Sequence, residues 1–486
     1  MDALEKLVPG SVRRGNASVV GISCDSRFVG PGVAFCALLG RHADGHEYAS
    51  RAVAAGVPAL IVGHFLDLPV PQLQVPNIRA ALGPLSAAIY GWPSCRLRLA
   101  AVTGTDGKTT TAHLIEHCLA ASGRRTANIG TIAIQIADRT IPSRATTPEA
   151  PELHRLFQEM VQSDVQDVVM EVSSHGLDLG RVAGLSFEVA VFTNLSPEHL
   201  EYHGTMEQYL EAKSRLFHRS RCSFAVICID DEWGQRLAST VTLPLVTFGR
   251  TRSADVVIED VATDLGGTKV DIRWGEQRLS LSTVIPGTVN ADNVTAAYLA
   301  ARALGVESEK AKRALADAPT VPGRFEVIDV GQPFLVVIDY AHTAAALTAL
   351  IDTARRLTGP TSRVIVVVGA RGGRYRDKRA AIGRVAASSD LVVITTDSPG
   401  DEDPVAIANT ILDGCNEVGG SRTIIEPDRE IAITRAIASA RPGDAVLIVG
   451  RGHERYYERG SEQVELDDRE AGRAALVELV SQEPRF

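Results

Sequence analysis

The stretch AVTGTDGKTTTAHLIEHCLA, residues 101–120, decides the fold around it. Apolar residues at Leu97, Leu99 and Val102 lead into the turn Gly104-Thr105-Asp106-Gly107, and Lys108, Thr109, Thr110 and Thr111 then open an amphipathic helix. A strand, a tight glycine turn and a helix N-terminus together make an anion site, because successive backbone N–H groups and the helix dipole face one point. In such a loop Lys108 reaches the β- and γ-phosphates of a nucleotide and the Thr109 hydroxyl sits on Mg²⁺. The strict G-x-x-x-x-G-K-[ST] spacing is not met, since Val102 stands where the first glycine belongs. What remains is a tighter phosphate loop over Gly104–Thr109.

The rest of the composition bounds the class. A chain of 486 residues is too long for one ordinary domain, and at 45% hydrophobic it can bury several cores. No apolar run approaches the roughly 18 residues of a membrane span. The start, MDALEKLVPGSVRRG, has no secretory h-region. Seven cysteines without metal-site spacing point to reduced thiols and a cytoplasmic setting. The net charge of −9 argues against a dedicated nucleic-acid binder.

Three parts follow, over residues 1–97, 98–322 and 323–486. In the first, SVVGISCD, VAFCAL and PALIVG read as strands and HEYASRAVAAGV as a helix. The clusters Cys24-Asp25-Ser26-Arg27 and Arg41-His42-Ala43-Asp44-Gly45-His46 come just after apolar strands, where ligands bind in α/β sheets. In the second part, DVVMEVS, EVAVFTNL, FAVICI and LPLVTFG are buried-strand candidates for a mostly parallel sheet. AASGRRTANIG reads as a helix end and loop, and Asp255–Ile285 as an antiparallel insertion or edge. The third part carries FLVVIDYAH, SRVIVVVGA, DLVVITTD and DAVLIVG, the strands of a second open α/β domain.

The residues with chemistry lie at strand ends. Glu171 closes the strand DVVM, well placed to bind Mg²⁺ directly or through water; the bland alternative is a helix cap. His199 and His203 are four apart, like a zinc pair, but without H-E-x-x-H order; a histidine serving a second magnesium reads better. Lys213 alone reads as a solvated helix lysine. Asn290 and Asn293, three apart on one helix face, suit either an adenine edge or helix capping. Arg324 follows a Pro-Gly hinge, from which an arginine can swing to a phosphate. Asp339 and His342 end an apolar strand, where ribose or phosphate contacts are expected. Asp397-Ser398-Pro399-Gly400 and Gly450-Arg451-Gly452-His453-Glu454 are polar turns past two further strands, a crevice facing a substrate.

Taken in order, DSRFVGPG, ADGHEY, GTDGKTTT, ATTPE, EVSSHGLDLGR, FTNLSPEHLEYHG, EAKSRLF, PGRFE, DYAHT, DSPGDEDP and GRGHE resemble the Mur ligases, and within them the UDP-N-acetylmuramoyl-dipeptide ligases (MurE), over essentially the whole chain. The resemblance implies a three-domain architecture: an N-terminal UDP-binding domain, a central P-loop ATPase domain and a C-terminal open α/β domain that binds the amino acid. It implies ATP, two Mg²⁺ ions, an acyl-phosphate intermediate, and a monomeric enzyme acting on UDP-N-acetylmuramoyl-dipeptide and a free amino acid rather than on nucleic acid. By the same resemblance Ser26 lies at the uracil nucleotide, and Thr146, Thr147, Ser173 and Arg181 hold the muramoyl-dipeptide. Gly104, Thr105, Asp106, Gly107, Lys108, Thr109 and Thr110 form the phosphate loop. Thr109, Glu171 and His199 serve the metal ions, and Lys213 becomes an active-site lysine carbamylated by CO₂. Asn290, Asn293, Arg324, Asp339 and His342 contact the nucleotide, while Asp397, Ser398, Gly400, Gly450 and Glu454 face the amino acid. Lys108, Lys213 and His199 are the expected catalytic set.

Departures from the pattern bear on the third amino acid. Many relatives carry Asp-Asn-Pro-Arg where this chain has Asp397-Ser398-Pro399-Gly400, and in diaminopimelate-adding members that arginine grips the distal carboxylate. A guanidinium–carboxylate pair is bidentate and charge-assisted, so Gly400 points to L-lysine or L-ornithine, with Glu454 for the side-chain ammonium and Arg451, Arg455 or the 371–379 loop as possible substitutes for the missing cation. GARGGRYRDKR (369–379) is rearranged against GCGGDRDKGKR, Leu179 replaces a substrate-binding glutamine of some relatives, and Arg451 replaces the lysine of GKGHE. The alternatives are a meso-diaminopimelate-adding ligase, a Mur-like amide ligase with another acceptor, or a nucleotide-binding regulator without catalysis.

Overall fold

The protein is described by a computed structural model, over residues 1–40, 43–373 and 376–482. Three open sheets organise it, each with helices on its faces. The first has the strand order Val12–Arg14, Gln72–Gln74, Leu60–Val62, Val33–Cys36, Gly21–Ser23. Only the first of these runs antiparallel to its neighbour. The three strands expected from the sequence are all present, and a 3₁₀ turn over Gly45–Tyr48 precedes the helix Ala49–Ala54. Arg41 and His42 of the second polar cluster lie outside the described residues.

The second sheet has eleven strands. Its centre is parallel, and Arg98–Thr103 lies between Asp167–Glu171 and Phe187–Phe192, with Val102 opposite Glu171 and Thr103 opposite Phe192. Strand order reverses on either side of Arg98–Thr103, so the carboxyl ends of these three strands open onto one crevice. Buried apolar side chains cover both faces, which is why the strands read as continuous rather than alternating runs. Val256–Asp264, Gly267–Trp274 and Gln277–Thr283 form the antiparallel edge expected there. The segment AASGRRTANIG is not merely a helix end and loop: Thr126–Ile129 is a fully buried strand, parallel to Asp167–Glu171. Its Thr and Asn side chains broke the apolar signal, although burial between neighbours satisfies their backbone. It continues into a second antiparallel edge, Ala133–Ile136 and Arg139–Pro142.

The third sheet runs Glu326–Val327, Leu335–Asp339, Ala445–Val449, Val364–Val368, Leu391–Ile394, Arg422–Ile425. All pairs but the first are parallel. The four expected strands are its buried centre, and the half-exposed edge Arg422–Ile425 had no apolar run to announce it. No helix among the described residues is long and apolar enough to cross a membrane.

Candidate active site

The loop after Arg98–Thr103 is built on two glycines. Gly104 has φ +146° and Gly107 φ +84°; a Cβ at the first would lie 1.9 Å from Thr193 Oγ1, and at the second 2.4 Å from Asn293 Oδ1. No L side chain fits either place. The neighbouring strand end holds the loop in register. Asn194 accepts from the Thr105 N–H through its carbonyl and from the Asp106 N–H through Oδ1, both at 2.9 Å. Ser196 N–H donates to Thr105 Oγ1 at 3.0 Å, and Thr193 Oγ1 to the Asp106 carbonyl at 2.6 Å.

Two lysines meet on this loop. Lys108 Nζ donates to the carbonyls of Gly104 (3.1 Å) and Thr105 (2.7 Å), and Lys213 Nζ, from the helix Met206–Ser214, donates to the same Gly104 carbonyl at 2.8 Å. Lys213 is 1% exposed. Burial pushes its pKa well below the usual lysine range, and the Lys108 charge adds to this. Burial also lowers Lys108, against the pull of Glu171 and Asp106. The bland reading of Lys213 as a solvated helix residue is therefore excluded.

Glu171 is buried and accepts from three donors: Thr109 Oγ1 at 2.9 Å, Thr131 N at 2.8 Å and Thr131 Oγ1 at 3.0 Å. It does not cap the helix Ser174–Asp178; Ser173 does, accepting from Gly176 N. Arg324, from the turn that opens the third sheet, donates to Thr109 Oγ1 at 3.2 Å and lies 4.5 Å over the Tyr340 ring. His199 has its ring 4.7 Å from that of His175. Burial, then the charges of His175, Lys108 and Lys213, push its pKa down to about 2, so the ring stays neutral and keeps a lone pair for a metal. His203 turns away, bonded to Ser174 Oγ at 2.9 Å and stacked on Tyr209, so it makes no zinc pair with His199. No cluster of three or more His, Cys, Asp or Glu is placed to hold a metal among the described residues. A hydroxyl beside a carboxylate nevertheless fits Mg²⁺, which takes one or two protein oxygens and leaves its other positions to water and phosphate.

Beside Glu171 lies a second polar group. Thr147 Oγ1 accepts from Ser173 N–H at 3.0 Å and donates to the Glu171 carbonyl, Thr146 Oγ1 meets Thr131 Oγ1 at 3.0 Å, and Arg181 donates to the Thr147 carbonyl and to Glu149. Glu149 also binds Arg79 at 2.7 Å, tying the first sheet's helix Ile78–Ile89 to this cluster. Ser26 sits in a turn closed by Asp25 and Arg27, and its neighbour Phe28 lies under Arg144, 4.6 Å from the ring centroid. That contact brings the Ser26 turn to the segment leading into Thr146.

In the third sheet, both Asp339 oxygens accept backbone N–H groups, from Phe325 and Ala341 at 2.7 Å each, so this carboxylate shapes the turn that carries Arg324. His342 Nδ1 meets the Tyr340 carbonyl at 3.0 Å. Asp397 is buried, close against Gly450. Ser398 Oγ accepts from Glu458 N–H at 3.0 Å, and Gly400 pairs with the hairpin Tyr456–Arg459 and Glu462–Glu465. Glu454 forms an ion pair with Arg371 and accepts from the Tyr340 hydroxyl at 3.3 Å.

Family models match along the chain in this same order: the Mur ligase family catalytic domain over residues 18–90, the Mur ligase middle domain over 102–301, and the Mur ligase glutamate ligase domain over 323–452. The UDP-N-acetylmuramoyl-L-alanyl-D-glutamate–2,6-diaminopimelate ligase of Geobacillus kaustophilus is 41% identical over 473 residues, 96% of each chain. The chain belongs to the Mur ligase family. The corresponding enzyme of Solibacter usitatus is 42% identical, over 94% of this Mur ligase and 93% of its relative. A solved diaminopimelate ligase of the same name is 30% identical, with TM-score 0.67 over 96% of this chain and 97% of its own. MurF from Acinetobacter baumannii, at 20% identity, shares the fold with TM-score 0.69 over 99% and 98%.

In this Mur ligase several sequence readings take a different form. Asn290 and Asn293 do share a face, but neither caps: Val289 precedes the helix Asn290–Ala303 without a side-chain cap. Asn293 Nδ2 donates to Asn290 Oδ1 at 2.9 Å, and Asn293 Oδ1 accepts from Thr111 at 3.2 Å, so the pair braces the phosphate-loop helix. Arg451 is fully buried, donating to the Leu466 carbonyl at 2.8 Å and facing Asp468 and Asp397, and is not open to a substrate. Thr131, Glu149 and Arg79 went unread in the sequence. ATTPE contained Glu149, but nothing local marks it as a bridge between two sheets.

Proposed function

We propose that this Mur ligase is an ATP-dependent carbon–nitrogen ligase, working as a cytoplasmic monomer, that adds the third amino acid to UDP-N-acetylmuramoyl-L-alanyl-D-glutamate. The observation that carries this is the meeting of Lys108, Thr109, Glu171 and the third sheet's Arg324 at one phosphate loop, beside the polar group of Thr146, Thr147, Ser173 and Arg181. A carboxylate does not condense with an amine at neutral pH, because its oxygen is a poor leaving group. Phosphoryl transfer from ATP to a carboxylate oxygen of the dipeptide, with loss of ADP, makes an acyl phosphate. The α-amine of the incoming amino acid then attacks the acyl carbon; the C–N bond forms, the C–O bond to phosphate breaks, and the amine proton leaves to solvent.

Such chemistry is mostly positioning and charge neutralisation. The loop N–H groups and Lys108 hold the phosphates, and Arg324 brings a cation from the third sheet as the site closes. Thr109 and Glu171 would hold one Mg²⁺, with His199 and carbamylated Lys213 serving a second; bound there, the ions would neutralise phosphate charge. The lowered pKa of Lys213 supports the carbamate: a neutral amine adds to CO₂, forming an N–C bond and releasing one proton. Thr146, Thr147, Ser173 and Arg181 orient the peptide, with Ser26 toward the uridine end. Exclusion of water protects the acyl phosphate.

The test is incubation with UDP-N-acetylmuramoyl-L-alanyl-D-glutamate, ATP and a panel of amino acids, followed by mass spectrometry. A product heavier by one residue is expected, and Lys108→Ala should abolish it while the protein still folds and unfolds cooperatively. Absence of product with every amino acid, from protein that still binds ATP, would sink the reading.

A further inference from the structure

The crevice at the carboxyl ends of the third sheet is lined by Tyr340, His342, Ala370, Arg371 and Asp397. Arg371 meets Glu454 here, and its side chain is 32% exposed, so part of the guanidinium faces the opening. Three other arginines near this crevice, among those whose side chains are described, are engaged elsewhere. Arg451 is fully buried, Arg455 lies in solvent near Asp467, and the 4%-exposed Arg379 is paired with Glu402 and the Arg371 carbonyl.

Against the pattern GCGGDRDKGKR, Arg371 stands where a glycine is usual. Its loop is zipped to the loop whose usual arginine is replaced by Gly400. Gly372 N–H donates to the Ser398 carbonyl at 2.9 Å, and a Cβ on Gly372 would lie 1.7 Å from the Pro399 carbonyl oxygen. The chain has thus lost an arginine from one of two touching loops and carries one on the other.

A guanidinium beside a carboxylate presents a fork of donors next to an acceptor. The complementary ligand end is a zwitterion: its carboxylate takes the open guanidinium N–H groups and its ammonium takes Glu454. A lysine or ornithine side chain brings only an ammonium. It would have to displace Arg371 from Glu454 or sit beside a like charge, and either leaves a partly buried charge poorly paired. We propose that Arg371, with Glu454, is the specificity-determining pair for the incoming amino acid, reading the far carboxylate of a diamino dicarboxylic acid in place of the arginine absent at position 400. The proposal rests on the ligase reading above, and it replaces the preference for lysine or ornithine that position 400 alone implies.

The test compares kcat and KM for meso-diaminopimelate, L-lysine and L-ornithine, with the UDP-linked dipeptide and ATP saturating, in the native chain, Arg371→Gly and Arg371→Lys. The native chain should prefer diaminopimelate. Arg371→Gly should raise the KM for diaminopimelate roughly 10- to 100-fold, the range of a charged hydrogen-bonded contact, with kcat within a few-fold and with no matching loss toward lysine. Arg371→Lys should recover part of the loss, since the charge survives but the fork does not. A native preference for lysine or ornithine, or an equal loss toward all three amino acids in Arg371→Gly, would overturn the proposal while leaving the ligase reading intact. No product with any amino acid would overturn the ligase reading, and this proposal with it.

Discussion

Arg324 Nη2 donates to Thr109 Oγ1 at 3.2 Å, while the same hydroxyl donates to Glu171 Oε2 at 2.9 Å. One threonine at the start of the phosphate-loop helix therefore joins a carboxylate of the second sheet to a cation that arrives with the third. Asp339 holds the turn behind Arg324 through two backbone N–H groups, so the arginine is delivered by a preset loop.

Arg324→Ala should lower kcat roughly 100-fold, the usual cost of losing a preorganised charge at a phosphoryl-transfer site. The KM for ATP should change much less if the contact matters mainly in the closed, reacting enzyme. Steady-state kinetics separates the two effects, and an unchanged kcat would mean the arginine only packs on Tyr340.

Lys213→Met should abolish turnover and yet stabilise the fold at neutral pH. The pKa of Lys213 is depressed in the folded chain, so between that value and the unfolded one near 10.4 only the unfolded chain takes the proton. Native Lys213 therefore costs stability at pH 7, and the cost fades as the pH rises toward 10. Melting temperatures of the two proteins should differ most at neutral pH and converge at alkaline pH. Carbamylation would narrow the neutral gap, so removal of CO₂ and bicarbonate should widen it.

Acid should destabilise the fold through buried histidines. His154 is 1% exposed, its Nδ1 has no hydrogen-bond partner among the described residues, and burial lowers its pKa to about 4. The unfolded ring takes a proton near 6.5, so stability falls as the pH drops from about 7 toward 4, by at most about 1.4 kcal/mol per pH unit for this one group. His154→Phe should flatten that part of the curve in urea unfolding measured between pH 7 and 5. An unchanged slope would assign the acid sensitivity to other groups.

Glu149→Gln should loosen the first sheet from the second, since Glu149 binds both Arg79 and Arg181. These groups are partly exposed, so the stability loss should be only about 1 kcal/mol. The larger effect expected is a several-fold higher KM for the UDP-linked dipeptide with kcat nearly kept, because the bridge joins Arg181, proposed to hold the peptide, to the first sheet, proposed to hold the uridine end. Equal KM values in the two proteins would show that Arg181 holds its place without Glu149.

Local signals carried much of this molecule. The run from Leu97 to Ala120 specifies strand, loop and helix by periodicity and glycine placement, and the central strands of all three sheets are legible because burial on both faces demands unbroken apolar runs. Thr126–Ile129 and Arg422–Ile425 were not legible, since a polar or half-exposed strand acquires its identity from the neighbour it pairs with. At the site, residue types pointed to Lys108, Thr109 and Glu171, whose neighbourhood follows from short loops at adjacent strand ends. The family resemblance moved Lys213 from a surface reading to the active site, but only the tertiary structure showed a fully buried amine on the Gly104 carbonyl, and only it brought Arg371 to Glu454, 83 residues apart. Burial and ion pairing between distant segments depend on which strands become neighbours, and no local pattern encodes that.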